Sequence, residues 1–387
     1  MRNSPFSLDQ RNPLKGVIRQ RGLTLVELMV SLVLGLVLIG GVLNIFVSNR
    51  ETFRVTENLT RMQENARTGF DFMARDIREA GQNPCGTPLV ANVIRDAGGA
   101  IPWWANWNKG TMIGVDGSQD RTDILAFGTA TNDRVAGTDA VLVIRADQDE
   151  EIIDTHDTAT TLITLTSPSI FQQNDIVMAC DLWSAAIFQL YDATPHTGVG
   201  KGKVLDHQKD ATNTNCSSFL GYPTPATCPI LAPTSKQFKD STSPTSGVVA
   251  KLVSTFWYVG YNGSGQRSLY RTKIKRTGSG ATIITTEPEE IVPGVQDLQM
   301  QYLAKSAITG TLATDWVDAT DGATFPGATS TATGNWRTDD PTNQPNQAVA
   351  VRVTMTLQSD EKVGTDQLPI QRQLIHVVGL RSRDTLF

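Results

Sequence analysis

The feature that most constrains this chain is a continuous apolar segment close to its N-terminus. Residues 23–47 read LTLVELMVSLVLGLVLIGGVLNIFV, and Glu27 is the only ionisable side chain among them. An α-helix of this length would be about 37 Å long, which exceeds the ~30 Å hydrocarbon core of a bilayer. The segment therefore predicts one membrane-spanning helix, with the bulk of the chain folded on one side of that membrane.

The charges on either side of this segment predict its orientation. Residues 1–22 carry five basic side chains and one acidic one, which is a net charge of +4. The whole chain has a net charge of −5, so −9 remains for residues 23–387. Basic residues that flank a span stay in the cytoplasm, so we expect the C-terminal part to be exported. Since nucleic-acid binders are usually basic, we expect no nucleic-acid partner.

Three interpretations of the N-terminus compete. A cleaved secretory signal has a shorter apolar stretch and a small-residue cleavage site, whereas here the long run is followed by SNRETF. An uncleaved signal anchor fits the length and the charge, but it gives no partner to Glu27, whose carboxylate is costly to place in a membrane. Cleavage after Gly22 would instead create an α-amino group on Leu23, which can pair with Glu27 of a neighbouring subunit.

The residues from Arg21 to Leu28, RGLTLVEL, resemble the leader motif of type IV prepilins. In that family a membrane peptidase cuts after the glycine and N-methylates the new first residue. A glutamate at the fifth mature position serves filament assembly. The resemblance implies that Gly22 and Leu23 form the processing site and that Glu27 is the assembly residue. Leu23 departs from the phenylalanine that is usual in major pilins.

Beyond residue 47 the apolar pattern becomes periodic, as in an amphipathic helix. Gly81 and Pro84 predict where that helix ends, because glycine favours the C′ position and proline cannot continue a helix. We therefore expect one helix from about Leu23 to Ala80, whose second half packs on a globular head. Charged residues, including Asp76, lie between the apolar positions. The predicted apolar stripe is Phe53, Leu59, Met62, Ala66, Phe70, Met73, Ile77 and Ala80.

The rest of the chain predicts a β-rich head, interrupted by polar stretches that we interpret as loop insertions near 208–248 and 306–346. The fold class is therefore α+β: a pilin-like fold in which a long N-terminal helix packs on a β-rich head. The predicted divisions are a leader at 1–22, a helix at 23–81 with its transmembrane segment at 23–47, and an extracytoplasmic head at 82–387. Strands are expected at Asp123–Phe127, Ala140–Arg145, Leu162–Thr166, Asp175–Cys180, Lys251–Tyr258, Ser268–Lys275, Leu298–Leu303, Val349–Leu357 and Gln373–Leu380.

Short fragments of the head resemble the PilW family of large minor pilins. They include IVPGVQDLQMQY at 291–302 and VVGLR at 377–381, in an order that fits the family after a prepilin leader. The resemblance implies a minor pilin that initiates or caps a type IV pilus within a tip complex. Its implied partners are the prepilin peptidase/N-methyltransferase, other minor pilins, the major pilin and a tip adhesin. The implied location is the inner membrane, with the head in the periplasm, and then the pilus tip.

Four cysteines lie in the part expected to be exported, where disulfides persist: Cys85, Cys180, Cys216 and Cys228. Of the three possible pairings we favour Cys85 with Cys180, which would tie the end of the helix to a strand. Cys216 and Cys228 would then close a short loop. The cysteines lack zinc-ligand spacing and the four histidines are scattered, so we expect no metal site.

No sequence motif of a hydrolase, metalloprotease, P-loop enzyme or dinucleotide-binding enzyme is found, so we expect no catalytic residue and no cofactor. The acidic run 147–151 is interpreted as a solvated loop in preference to a calcium site. Trp103, Trp104 and Trp107 are interpreted as core in preference to an exposed patch, and His207 as a surface or loop histidine.

Two other functions stay open from the sequence. One is a minor pseudopilin of a type II secretion or competence system, which would carry the same leader. The other is a signal-anchored periplasmic binding protein or adhesin, which would keep residues 1–22.

Overall fold

The computed structural model describes residues 22–87, 89–96, 98–107, 110–191, 203–209, 214–222, 235–239, 247–276, 284–306, 311–319, 346–363 and 368–380. The chain divides into two compact units, Met1–Thr56 and Glu57–Phe387. The division falls inside the long helix, not at the predicted boundary after residue 81. The reason is that the second half of the helix packs within the globular unit.

The long helix, α1, runs from Leu25 to Arg78, close to the predicted bounds. Residues 22–53 are exposed apart from the partly covered Gly35. Beyond them one face is buried, which confirms the apolar stripe from Met62 onward, whereas Phe53 is exposed. The buried residues of α1 are Asn58, Met62, Ala66, Gly69, Phe70, Met73, Ala74, Asp76 and Ile77.

The larger sheet contains ten strands, and its main path runs in the order β1-β6-β5-β8-β3-β4-β7. The remaining three strands attach at its sides: β2 pairs with β3, β9 with β8, and β10 with β9. All these pairs are antiparallel except β1 with β6. The strands are β1 (Val90–Asn92), β2 (Met112–Val115), β3 (Ala140–Asp157), β4 (Leu162–Leu165), β5 (Ile176–Cys180), β6 (Ala185–Gln189), β7 (Val204–Asp206), β8 (Val248–Tyr261), β9 (Arg267–Arg276) and β10 (Ile284–Pro293).

The smaller sheet has four antiparallel strands in the order β12-β11-β13-β14. Gly294 separates β10 from β11 with a φ of +79°, and a Cβ there would lie 2.8 Å from the carbonyl oxygen of Gln358. This sharp turn lets the chain pass from one sheet to the other. The strands are β11 (Val295–Ser306), β12 (Val317–Asp318), β13 (Asn346–Gln358) and β14 (Gln371–Gly379).

The main core of the globular unit lies where the second half of α1 meets both sheets. Met73 and Ile77 of the helix share one buried cluster with Trp257 of β8, Leu298 of β11 and Met355 of β13. Each of these side chains is almost fully removed from solvent. The helix is therefore an integral part of the head from about residue 57 onward.

Eight of the nine predicted strands coincide with observed strands, but Asp123–Phe127 is wrong. Only isolated bridges occur there, such as that between Arg121 and Leu125. The amide of Phe127 donates to the Asp120 carboxylate at 2.9 Å, so a side chain replaces a strand partner. Six observed strands were not predicted. Most are too short to show an alternation of apolar and polar residues, and in β10 charged residues interrupt that alternation. The six strands are β1, β2, β6, β7, β10 and β12.

The interpretation of the acidic run 147–151 as a loop is also wrong. The run lies within β3, at a place where the register against β8 shifts between Ala146 and Glu150. Such an irregularity lets a strand carry consecutive exposed side chains without leaving the sheet.

The tryptophan cluster belongs to the core, as predicted. Trp104 and Trp107 are buried and Trp103 is partly buried in the cluster that contains β5, β6 and β8. Trp103 and Trp104 form a short 3-10 helix with Ala105. These side chains are therefore not an exposed binding patch.

The stretches predicted as loop insertions, 208–248 and 306–346, lie largely outside the described residues. The described parts of the first stretch are not simply surface loop, because Cys216, Leu220 and Phe238 are buried in one cluster with β5 and β6 residues.

Candidate processing and assembly site

The predicted cleavage point lies in exposed, non-helical backbone just before α1. Gly22 has no contact within 4 Å of the position a Cβ would take, and the Leu23 side chain is 72 % exposed. The first helical hydrogen bond runs from the amide of Leu28 to the carbonyl of Thr24 at 3.1 Å. The bond between Gly22 and Leu23 is therefore not protected by helical structure in the described part of the chain.

Glu27 and Thr24 form a capping box at the start of α1. The Glu27 amide donates to Thr24 Oγ1 at 3.2 Å, while the Thr24 amide donates to Glu27 Oε2 at 3.3 Å. The Thr24 hydroxyl also donates to Glu27 Oε2 at 3.3 Å. These reciprocal bonds satisfy amide groups that have no partner in the first helical turn. The T-x-x-E spacing before an apolar run is the sequence signal for this cap.

The capping box leaves the Glu27 carboxylate able to take a second partner. Within the described residues, Thr24 supplies both hydrogen bonds to this carboxylate, and both reach Oε2. Glu27 is exposed and lies in the first turn of the helix, where a negative charge is favoured by the helix dipole. A cation that approaches Oε1 would therefore meet a carboxylate that is already oriented.

The surface of the helix around this site is apolar on every side. Among the described helices, α1 alone is long and apolar enough to cross a membrane, judged by length and composition. Exposed apolar area of this extent requires lipid or other apolar side chains as its surroundings. Large exposed apolar side chains of this part are Leu25, Val26, Leu28, Met29, Val30, Leu32, Val33, Leu34, Leu36, Val37, Leu38, Ile39, Val42, Leu43, Ile45, Phe46 and Val47.

The comparisons with known proteins bear on this same segment. Residues 18–43 match the family model described as the prokaryotic N-terminal methylation motif. The chain carries a type IV prepilin-like signal. No curated protein and no solved structure matches the chain. The match indicates a class III signal of the kind found in pilin-like and pseudopilin proteins. Such a signal implies processing by a prepilin peptidase. The apolar helix that follows it indicates anchoring in a membrane.

A buried carboxylate fixes the end of α1 to the large sheet. Asp76 Oδ2 accepts a 2.9 Å hydrogen bond from Nε1 of Trp257 on β8. Burial raises the pKa of Asp76, and the Trp257 bond, Arg271 and Arg145 oppose that rise. The sequence pattern placed Asp76 among the charged positions between apolar ones, so it gave no sign that this carboxylate is buried.

A second polar contact follows one turn later. Glu79 Oε2 lies 3.2 Å from Nε of Arg145 on β3, and Glu79 Oε1 accepts from the side-chain amide of Gln148 at 2.8 Å. Arg75 also reaches Glu79 Oε1, at 3.4 Å. The first residue after α1 is therefore joined to the start of the β3 irregularity by charged and polar groups.

A disulfide holds the segment that follows the helix. Cys85 and Cys180, the pairing favoured from the sequence, are bonded with their Cα atoms 6.0 Å apart. Cys180 ends β5, so the bond links the exit of α1 to the large sheet across 95 positions of sequence. Cys216 is also disulfide-bonded. Cys228, its predicted partner, lies outside the described residues.

From the sequence His207 is interpreted as a surface or loop histidine; it does lie outside the strands, directly after β7, but it is not on the surface. His207 is 1 % exposed, and its Nε2 lies 2.9 Å from Nε2 of the buried His156. Nδ1 of His156 accepts from the amide of Phe238 at 3.1 Å, so the His156 proton lies on Nε2 and is donated to His207. Burial lowers the pKa of His156 to about 4 and that of His207 to about 3. Both rings are therefore neutral at physiological pH.

The histidine pair is not arranged as a metal site. A neutral histidine that binds metal through Nε2 carries its proton on Nδ1, but Nδ1 of His156 is the acceptor here. In the part of the chain that the structure describes, no group of three His, Cys, Asp or Glu side chains is placed to hold a metal ion. The pair instead joins β3 to the segment that follows β7.

Proposed function

We propose that this chain is a PilW-like minor pilin, which initiates or caps a type IV pilus as part of a tip complex. The observation that carries the proposal is the prepilin-like signal at the exposed, capped start of an apolar helix. The role is mechanical and templating, not enzymatic. Its partners are the prepilin peptidase/N-methyltransferase, other minor pilins, the major pilin and a tip adhesin.

In this proposal the geometry at the N-terminus serves two successive steps. The peptidase cleaves the exposed bond after Gly22 and methylates the amine of Leu23. An α-amine with an ordinary pKa near 8 is mostly protonated at neutral pH. Such an amine on a neighbouring subunit can reach the Glu27 carboxylate, which Thr24 already orients. This pairing compensates the charge of Glu27 in an apolar surrounding and sets the axial position of adjacent helices.

The size of the head supports a minor role. A head of about 300 residues has a radius of gyration of roughly 19 Å by the scaling for compact domains, so it is on the order of 50 Å wide. Closely packed helices lie only about 8–10 Å apart. Heads of that width conflict sterically when every subunit of a filament carries one, whereas a single copy at the tip avoids the conflict. Before extrusion the subunit resides in the inner membrane with its head in the periplasm.

The experiment that tests the assembly role is the substitution Glu27→Gln. Glutamine keeps a side-chain oxygen for the cap but removes the negative charge, so we expect normal cleavage and loss of surface pili. Glu51→Gln is the matched control, because Glu51 is an exposed helical residue that pairs with Arg54 at 3.4 Å. Normal piliation in the Glu27→Gln strain would contradict the proposed pairing.

Immunogold labelling tests the tip position separately. Label at filament ends is the expected result, and label spread evenly along the shaft would contradict a tip role. A pseudopilin of a secretion system shares the same signal. Deletion of the gene separates the two, because a pilus subunit is required for surface filaments and a pseudopilin for export of secreted proteins.

A further inference from the structure

The chain leaves α1 through a short series of non-covalent contacts with the larger sheet. Asp76 and Glu79 bind side chains of β8 and β3, and the amide of Gly81 then donates to the carbonyl of Ile144 at 3.0 Å. These contacts follow one another along the chain. Tension that arrives through the helix therefore acts on them in series, and each can open without the rest of the sheet.

The next element, β1, is a weak attachment for a chain under tension. It has only three residues, and among the described strands it pairs only with β6, at the end of the main path of the larger sheet. The amide of Ala185 donates to the carbonyl of Leu89 at 2.8 Å, and the amide of Val93 to the carbonyl of Ile187 at 3.1 Å. Ala91 and Val93 are buried in the core, so detachment of β1 would open that core.

The disulfide between Cys85 and Cys180 lies between these two parts of the chain. Its ends are 95 positions apart, so the 94 residues between them form a covalently closed loop. This loop contains β1, the 3-10 helix, β2, β3, β4 and all but the last residue of β5. Because the bond joins both ends of the loop, tension that reaches Cys85 passes directly to Cys180, and the loop carries none of it.

The far end of the bond is held inside the sheet. Cys180 is buried, and it ends β5, which lies between β6 and β8. The turn that follows is fixed by Asp181, whose Oδ1 accepts hydrogen bonds from the amides of Trp183 and Ser184, each at 2.9 Å. Tension that crosses the disulfide therefore re-enters the chain within the sheet and not at the edge that β1 occupies.

We propose that the Cys85–Cys180 disulfide is a mechanical strap, which ends any unravelling of the head from its α1 side. Under tension the contacts at the end of α1 open, the unravelling stops at Cys85, and residues 86–179 stay folded. The source of the tension rests on the proposed function, in which the subunit is held in a filament through α1 while other proteins bind its head. The covalent path does not depend on that function.

Stretching single full chains in detergent with optical tweezers tests the strap. One handle replaces Glu57 and the other replaces Leu182, both exposed, through azide-bearing residues that leave every native cysteine in place. The path through the disulfide is about 30 residues long, which extends to about 110 Å. We expect α1 to be released and the tether then to stop lengthening near this value. The same release should recur in repeated cycles, because residues 86–179 stay folded.

A second handle position is the matched control, because it keeps all native cysteines. Asp154 is exposed on β3, inside the closed loop. With the second handle at Asp154 instead of Leu182, tension has to cross β5 and β4 to reach it. We expect an additional unfolding event and a limit of roughly 200 Å.

Serine variants test the two disulfides separately. With handles at the first two positions, Cys85→Ser combined with Cys180→Ser should let the tether reach roughly 440 Å, because β1 to β5 then unravel. Cys216→Ser combined with Cys228→Ser should keep the limit near 110 Å, because both positions lie after Cys180.

Each outcome decides the proposal. Lengthening well beyond 110 Å with native cysteines, or equal traces for the Leu182 and Asp154 handles, would overturn it. A release that does not recur would show that tension at Cys180 unfolds the head. Detachment of the handles before any release would show that the non-covalent contacts suffice without a strap. A mature chain that retains residues 1–22 would contradict the proposed function but leave these traces unchanged.

Discussion

At the scale of single residues, Gly69 marks a close approach of α1 to the sheets. A Cβ at this position would lie 3.1 Å from Val292 Cγ2, 3.2 Å from Leu269 Cδ2 and 3.4 Å from Met355 Cε. These three side chains come from β10, β9 and β13, so one glycine permits the helix to contact both sheets. Any larger side chain must therefore displace the end of at least one of these three side chains.

We therefore predict that Gly69→Leu destabilises the globular unit by about 1–3 kcal/mol through overpacking. Gly40→Leu is the matched control, because nothing lies within 4 Å of a Cβ at Gly40. Urea unfolding of each full chain in detergent, followed by tryptophan fluorescence, measures the free energy of unfolding of both variants. Equal stability of the two variants would show that the helix does not approach the sheets at Gly69.

The buried histidine pair predicts a pH dependence of stability. In the unfolded chain both rings titrate near pH 6.5, whereas burial lowers their folded-state pKa values to about 4 for His156 and about 3 for His207. The unfolded state therefore binds more protons as the pH falls, and the stabilisation present above pH 6.5 is progressively lost. Each histidine should cost about 2 kcal/mol between pH 7 and pH 5.

His207→Gln separates this effect from other titrations. The variant should be less stable at pH 7, because a buried ring is lost, but between pH 7 and pH 5 its stability should fall by about 2 kcal/mol less than that of the natural chain. Asp139 acts in the opposite direction, since burial raises its pKa to about 6, and it is common to both proteins. Identical pH profiles for the two chains would contradict a neutral buried pair.

At the scale of elements, the end of α1 is held by a hydrogen bond, an ion pair and a covalent bond. Asp76 joins the last turn of α1 to β8, and Glu79, the first residue after the helix, contacts β3. The Cys85–Cys180 disulfide joins the following segment to β5. These contacts lie within the globular unit and fix the part of the helix that would transmit force to the head. The hydrogen bond of Asp76 with Trp257 spans 181 positions of sequence, and the disulfide is the one covalent link of the three, across 95 positions.

Replacing Cys85 and Cys180 together by serine should lower the free energy of unfolding by about 2–5 kcal/mol. Replacing Cys216 and Cys228 together should cost less, because the closed loop would be shorter in the chain-entropy model. Denaturant unfolding of both double variants provides the comparison. A larger loss from the second pair would contradict this account of the disulfides.

The elements differ in how far the sequence alone predicts them. Helix α1 is predicted by its apolar pattern, which is continuous at first and then periodic. Long strands such as β13 are predicted by the alternation of apolar and polar residues along the sequence. Short strands such as β2 lack enough residues to show a period, and β10 is hidden by its acidic residues. Asp76 and His207 could not be assigned, because their burial depends on partners far away in sequence, Trp257 and His156.

At the scale of the whole molecule, the sequence identified the N-terminal site better than it identified the head. Gly22, Leu23 and Glu27, the residues proposed for processing and assembly, lie within six positions, so their proposed roles can be predicted from the local sequence alone. The structure shows in addition that hydrogen bonds from Thr24 orient the Glu27 carboxylate within a single chain. The order of the strands within the two sheets appears only in the folded chain.

The central claim is that the chain is processed as a prepilin and is not retained as a signal-anchored protein. N-terminal mass spectrometry of the protein extracted from membranes tests it most directly. We expect a mature chain that begins with N-methylated Leu23 and lacks residues 1–22. A chain that retains Met1, or begins anywhere other than Leu23, would contradict it.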